Sequence, residues 1–157
     1  MASRRLVDDQ LYDGPGHALV STGRTLRIRR DGSRGILTFK GPGQAGPVKI
    51  REEIETEVHD VAALERIVGA LGYTPFFRAQ KYREDYDIQM PGAAHIALDD
   101  TPIGTFVEIE ADVATIAETT HALGKSPDDY ILSSYQRLFA EWAAARGQSP
   151  HAMLVRA

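Results

Sequence analysis

Cysteine is absent from all 157 residues, so the chain can form no disulfide, offers no thiolate nucleophile and has no thiolate metal site. Long apolar runs are missing too. Nothing approaches the ~20 residues that span a bilayer, and the basic N-terminus is followed by no apolar signal core. Without a targeting segment, a cytoplasmic location is the default expectation, with no membrane partner. Several catalytic signatures are also lacking. The five histidines show no H-x-x-x-H spacing, which leaves zinc without its usual helical ligand pair. No serine sits in G-x-S-x-G. The Gly-rich GPGQAG lacks the G-K-[ST] of a phosphate-cradling loop and precedes a strand. What remains is the chemistry of carboxylate oxygens and of cations.

The charge is unevenly spread. Residues 1–40 carry eight Lys/Arg against four Asp/Glu, and residues 41–157 carry ten against eighteen. The early basic residues alternate with apolar ones and form no uninterrupted run, which argues against a nucleic-acid arm. At this length, with 43% hydrophobic residues, one domain over residues 1–157 with one core is expected.

Alternation supplies most of the structural signal. TLRIRR puts Leu26 and Ile28 on one face and Arg27 and Arg29 on the other. After the turn chemistry of DGSRG, ILTFKG alternates again, with Leu37 and Phe39 opposite Thr38 and Lys40, so the two runs predict a hairpin. VKIREEIETEV sets Ile50, Ile54 and Val58 against Arg51, Glu53, Glu55 and Glu57. FFRAQKYREDYDIQM predicts a long strand, joined to HIALDD through a Pro91-Gly92 turn, and GTFVEIEA follows as a further strand. Asp60 and Asp112 stand where helix N-caps belong, before VAALERIVGALG and VATIAETTHALG, each ending in a stop glycine. The two acidic-strand, cap and helix units echo one another. A last helix is predicted over 127–145 and a frayed tail over 147–157. Tyr12, Tyr82 and Tyr86 fit packing at strand ends better than base stacking. The pattern predicts an α+β fold with an antiparallel sheet.

Solvated strand faces usually mix signs; here the sign is segregated by strand. Arg27, Arg29, Lys40, Lys81 and Arg83 offer what a polyanion needs, forked and point-charge donors to phosphate oxygens. Glu53, Glu55, Glu57, Glu108 and Glu110 are stacked at i, i+2 spacing, and such carboxylates raise one another's pKa unless a cation intervenes. Oxygen-only ligands favour Mg²⁺ or Mn²⁺. Lining one cavity with both kinds of face requires the sheet to curl with its charges inward and its helices outside.

TLRIRR, LTFKGP, REEIETEV, KYRED and HIALDDTPIGTFVEIEA resemble the CYTH superfamily, the triphosphate tunnel metalloenzymes, over residues 10–135. That group contains class IV adenylate cyclases, thiamine triphosphatases and inorganic triphosphatases. The resemblance implies a closed antiparallel β-barrel, or tunnel, with charges inside. It places Arg27, Arg29, Lys40, Arg51, Lys81 and Arg83 on phosphate, and Glu53, Glu55, Asp99, Glu108 and Glu110 on metal. It gives Glu108, Glu110 and Asp99 the catalytic role, with Mg²⁺ or Mn²⁺ as cofactor. The implied activity is hydrolysis of tripolyphosphate, thiamine triphosphate or another triphosphate by a metal-positioned water. The alternatives are conversion of ATP to cyclic AMP, or polyphosphate binding without catalysis. A homodimer is left open. The family's opening E-x-E-x-K strand has no counterpart in MASRRLVDD, so a barrel short of one strand is expected.

Overall fold

The structure, a computed structural model, describes residues 3–89 and 92–155. The chain runs β1 (Arg5–Asp13), β2 (Thr25–Asp31), β3 (Arg34–Lys40), β4 (Glu53–Val58), α1 (Val61–Ala70), β5 (Thr74–Ile88), β6 (Ala94–Thr101), β7 (Gly104–Glu110), α2 (Val113–Ala122), α3 (Tyr135–Ala144) and β8 (Ala152–Met153). One sheet holds all the strands in the order β4-β3-β2-β1-β5-β6-β7, antiparallel throughout, with β8 added to β5 in parallel. Among the described residues β4 and β7 do not pair with each other, so the expected barrel is open along that seam. It is nevertheless curled: the charge of Glu108 on β7 bears on Lys49, just before β4, although the two strands stand at opposite ends of the order.

Local chemistry fixes the elements. The β2–β3 hairpin closes with Asp31 opposite Arg34, and Gly32 takes the positive φ of 60° that the tight turn demands. Asp60 accepts the Ala63 amide at 2.8 Å and caps α1; Asp112 accepts the Thr115 amide at 3.0 Å and caps α2. Gly35 is needed for a different reason: any β-carbon there would run into the Val61 side chain and the Val58 carbonyl, so α1 sits hard against β3. Met90 and Pro91, half of the expected Pro91-Gly92 turn, lie outside the described residues.

Two apolar clusters cover opposite faces. On one, Tyr12, Ile28 and Val68 are buried with Leu26, Leu37 and Leu64, so α1 packs on the face away from Arg27, Arg29 and Thr38. The other contains Phe77, Ala79, Phe139, Ala143 and Met153. Phe77 and Ala79 share strand parity with Lys81 and Arg83, so α3 lies on the charged face of the sheet. This corrects the expectation that every helix packs outside. The aromatics of α3 need an apolar floor, which the first half of β5 provides: Phe139 sits 6.0 Å from Phe77 and stacks on Trp142 at 5.6 Å.

Three further expectations change. The helix predicted over 127–145 is a short 3-10 turn, Pro127–Asp129, then an extended stretch, then α3, because Ser134 caps a new start by accepting the Arg137 amide at 3.3 Å. The tail expected to fray instead returns as β8, where Met153 is fully buried. The outer faces of the two seam strands stay bare, with Ile54 58% and Val107 49% exposed. No helix among the described residues is long and apolar enough to cross a membrane.

Candidate functional site

The two-residue period of the strands delivers the charged side chains to one face. Arg27 and Arg29 come from β2, Thr38 and Lys40 from β3, Glu53 and Glu55 from β4, Lys81 and Arg83 from β5, Asp99 from β6, and Glu108 and Glu110 from β7. The register sets Thr38 opposite Glu55, Lys40 opposite Glu53, and Arg83 opposite Asp99. β1, inserted between β2 and β5, adds Asp9 opposite Arg29.

Two buried knots anchor this face. In the first, Asp99 is wholly enclosed and accepts four hydrogen bonds: Arg83 Nε to Oδ1 at 2.6 Å, and Arg83 Nη2 (2.6 Å), Lys81 Nζ (2.6 Å) and the Tyr135 hydroxyl (2.8 Å) to Oδ2. Arg83 also donates to Glu108, and Lys81 stands 3.8 Å from the same carboxylate. The Lys81 ammonium lies 4.5 Å above the Tyr135 ring, whose edge meets Phe106. Burial pushes the Lys81 pKa down despite Glu108 and Asp99, and burial with those same two carboxylates pushes the Tyr135 hydroxyl far up. Burial alone would raise the Asp99 pKa, but Arg83 and Lys81 hold it below the usual range.

In the second knot Arg29 grips Asp9 with two bonds, Nε to Oδ1 at 2.7 Å and Nη2 to Oδ2 at 2.9 Å. Burial opposes the Asp9 charge, yet Arg29, helped by Arg27 and Lys81, outweighs it and brings the carboxyl to about 2. Because this pKa is depressed on folding, its stabilisation is full above the unfolded value near 3.8 and disappears as pH falls through about 2. We therefore expect the stability gap between the wild type and Asp9→Asn to shrink by about 2 kcal/mol as pH falls from 5 to 2. Urea titrations of both proteins across that range measure it, and a constant gap would contradict it.

Toward β4 the pairs are wetter. Lys40 Nζ donates to both Glu53 oxygens at 2.7 Å, and Arg51 Nε donates to Glu53 Oε1 at 3.0 Å. Thr38 donates to Glu55 at 2.8 Å. Arg27 is poorly compensated for its burial, although its Nη2 donates to the Thr38 hydroxyl at 3.0 Å. Its nearest carboxylates are Glu55 at 3.5 Å and Asp9 at 3.8 Å, and its buried Nε has no hydrogen-bond partner among the described residues. Burial accordingly lowers its pKa.

The structure thus brings Lys81, Arg83, Asp99 and Glu108 into one cluster, Arg29 with Asp9, and Lys40, Arg51 and Glu53 into another. It does not gather Glu53 and Glu55 with Glu108 and Glu110. Among the described residues no three His, Asp or Glu side chains converge tightly enough to cage a metal ion. The donor set does fit a shared site, since Mg²⁺ commonly takes one or two carboxylates and completes its shell with phosphate oxygens and water. Glu108, whose side chain is 37% exposed, and Glu110, exposed beside it, meet that description; Asp99, enclosed by its four donors, does not. Asp9, Thr38, Lys49 and Tyr135 join the site without having been singled out from sequence. Thr38 and Lys49 were findable by parity, two residues from Lys40 and Arg51; Asp9 and Tyr135 depend on tertiary placement.

Comparison with known proteins agrees with this architecture. The sequence model of the CYTH domain matches residues 2–135. A Methanocaldococcus jannaschii protein named as a candidate adenylate cyclase is 29% identical over 146 residues, covering 86% of this chain and 82% of that protein. The PH1819 protein of Pyrococcus horikoshii superposes with a TM-score of 0.70 at 28% identity, over 90% of this chain and 88% of that one. A Hippeastrum protein, described as an adenylyl cyclase candidate with dominant triphosphatase activity, shares the fold at 15% identity and a TM-score of 0.66, over 94% and 84% of the two chains. With more than four-fifths of its length matched, this chain belongs to the CYTH domain family.

Proposed function

We propose that the charged face binds the triphosphate group of inorganic or organic triphosphates and hydrolyses it with the aid of a divalent cation. The observation that carries this reading is Arg27, a guanidinium with 13% of its side chain exposed, a buried Nε without a partner, and no carboxylate at salt-bridge contact closer than 3.5 Å. Leaving a buried donor unmade costs about 1–3 kcal/mol, which a phosphate oxygen at that point would recover. Lys40 and Arg51 stand on its β3–β4 flank and are held only by partly exposed Glu53, so they can turn to an anion. Arg29, Lys81 and Arg83 act differently: their buried carboxylates fix them as a rigid positive floor.

Cations and carboxylates on this face nearly balance, so a polyanion needs further positive charge to settle there. Glu108 and Glu110 are the residues to hold Mg²⁺ or Mn²⁺ beside the phosphates, with phosphate oxygens and water completing the shell. The ion would supply charge neutralisation on the phosphoryl oxygens and orient the attacking water. Arg27 and Lys40 orient the chain for in-line displacement, and Asp99 serves as a positioning residue for Lys81 and Arg83. Cyclisation of ATP is the second reading, raised by the name of the Methanocaldococcus relative.

Orthophosphate release from tripolyphosphate in the presence of Mg²⁺ tests the binding role. Arg27→Ala is expected to raise KM about tenfold or more without loss of stability, since the wild-type group is already under-compensated. An unchanged KM would remove Arg27 from the site.

A further inference from the structure

A cavity of about 480 Å³ opens beyond the Arg27 end of the charged face. Arg51 belongs to both, since it donates to Glu53 on the face and also lines the cavity; Leu11, opposite Arg27 in the β1–β2 register, forms its floor. Arg24, Lys49 and Arg137 bring the cations lining it to four, contributed by three separate segments of chain, and among the described residues no carboxylate lines the wall. Arg24 and Lys49 form no ion pair among the described residues. Arg137 makes only the exposed helical pair with Glu141, at 3.1 Å, of the kind worth a few tenths of a kcal/mol. Four cations around a cavity without an acid repel one another, and that arrangement is relieved by an anion.

We propose that this cavity is a second phosphate subsite, through which the charged face extends to linear inorganic polyphosphates longer than three phosphoryl units. The inference rests on the triphosphate reading above and adds the substrate class. A chain held at Arg27 continues past Arg51 and Lys49 and ends between Arg24 and Arg137. An uncharged organic cap fits less well. The aromatic and aliphatic side, Phe76, Tyr130 and Leu11, gives a stacking cap some surface, but four cations, of which Arg24 and Lys49 form no ion pair among the described residues, select for negative charge.

Titration calorimetry of the full chain with Mg²⁺ tests this, using tripolyphosphate, a longer linear polyphosphate and ATP against the wild type and the double variant Arg24→Ser/Arg137→Ser. Both replaced residues are exposed. The wild type is expected to bind the longer chain about tenfold more tightly than tripolyphosphate, from the added charge-assisted contacts. The double variant should lose that gain while its Kd for tripolyphosphate stays within about twofold. Equal affinity of the wild type for both chains overturns the subsite and leaves the triphosphate reading intact. Survival of the gain in the variant does the same, as does a loss confined to ATP, which would assign the cavity to an organic cap. Failure of the wild type to bind any of the three anions overturns the triphosphate reading and the subsite with it.

Discussion

Replacing Asp99 by asparagine is expected to lower the folding stability by about 3–5 kcal/mol, the usual consequence of removing one partner from a buried ion pair. Asp99 is fully enclosed and is the shared acceptor of Arg83, Lys81 and Tyr135. An amide in its place presents one oxygen where four donor groups converge, and its own NH₂ would face one or more of them. Two cations would then lie in a poorly solvated pocket with only Glu108 to balance them. Lys81, whose pKa burial already lowers, would be the first to give up its proton. Tyr135→Phe provides the scale: it deletes one hydrogen bond to a charged acceptor and should cost about 1.5–3 kcal/mol at most. Denaturant titrations should show the midpoint falling in that order with the slope unchanged. A loss below about 1 kcal/mol for Asp99→Asn would mean that the knot is not what holds β5, β6 and α3 together.

The converse holds for Glu108 and Glu110. The double change Glu108→Ala/Glu110→Ala should reduce kcat for a triphosphate by about a hundredfold or more and raise the Mg²⁺ concentration needed for half-maximal rate. Stability should stay within about 1 kcal/mol, because Glu110 is exposed, Glu108 is partly exposed, and relieving the repulsion of like charges two residues apart offsets the lost contact with Arg83. The contrast would separate two kinds of acid on one face: Asp99, which builds the site, and Glu108 and Glu110, which under the proposed function operate it. Retention of activity within about tenfold, with an unaltered metal requirement, would assign the metal-handling role elsewhere.

How much of this was legible follows from the range of each signal. Alternation is local, so the charged faces of β2, β3, β5 and β7 could be read directly, as could the Asp60 and Asp112 caps and the Asp31-Gly32 hairpin. The segregation of charge by strand pointed to the curl, and the family motifs implied the same arrangement. Pairings set by tertiary placement could not be read. Asp8 and Asp9 are neighbours in sequence, yet Asp8 binds Arg78 on one face and Asp9 binds Arg29 on the other, a distinction that exists only once β1 lies between β2 and β5. The aromatics of α3 look alike whichever face they cover; only the apolar half of β5, Phe77 and Ala79, puts that helix over the charges. Met153 gave no sign that the tail would return to the sheet, because a two-residue parallel strand has no periodicity to detect.

The proposed hydrolysis of a triphosphate on this face has a distinctive set of products. Product analysis after incubating the protein with Mg²⁺ and either tripolyphosphate or ATP tests it most directly. Orthophosphate is expected from tripolyphosphate, with ATP giving orthophosphate and ADP if it reacts. Cyclic AMP from ATP, without orthophosphate from either compound, would contradict it.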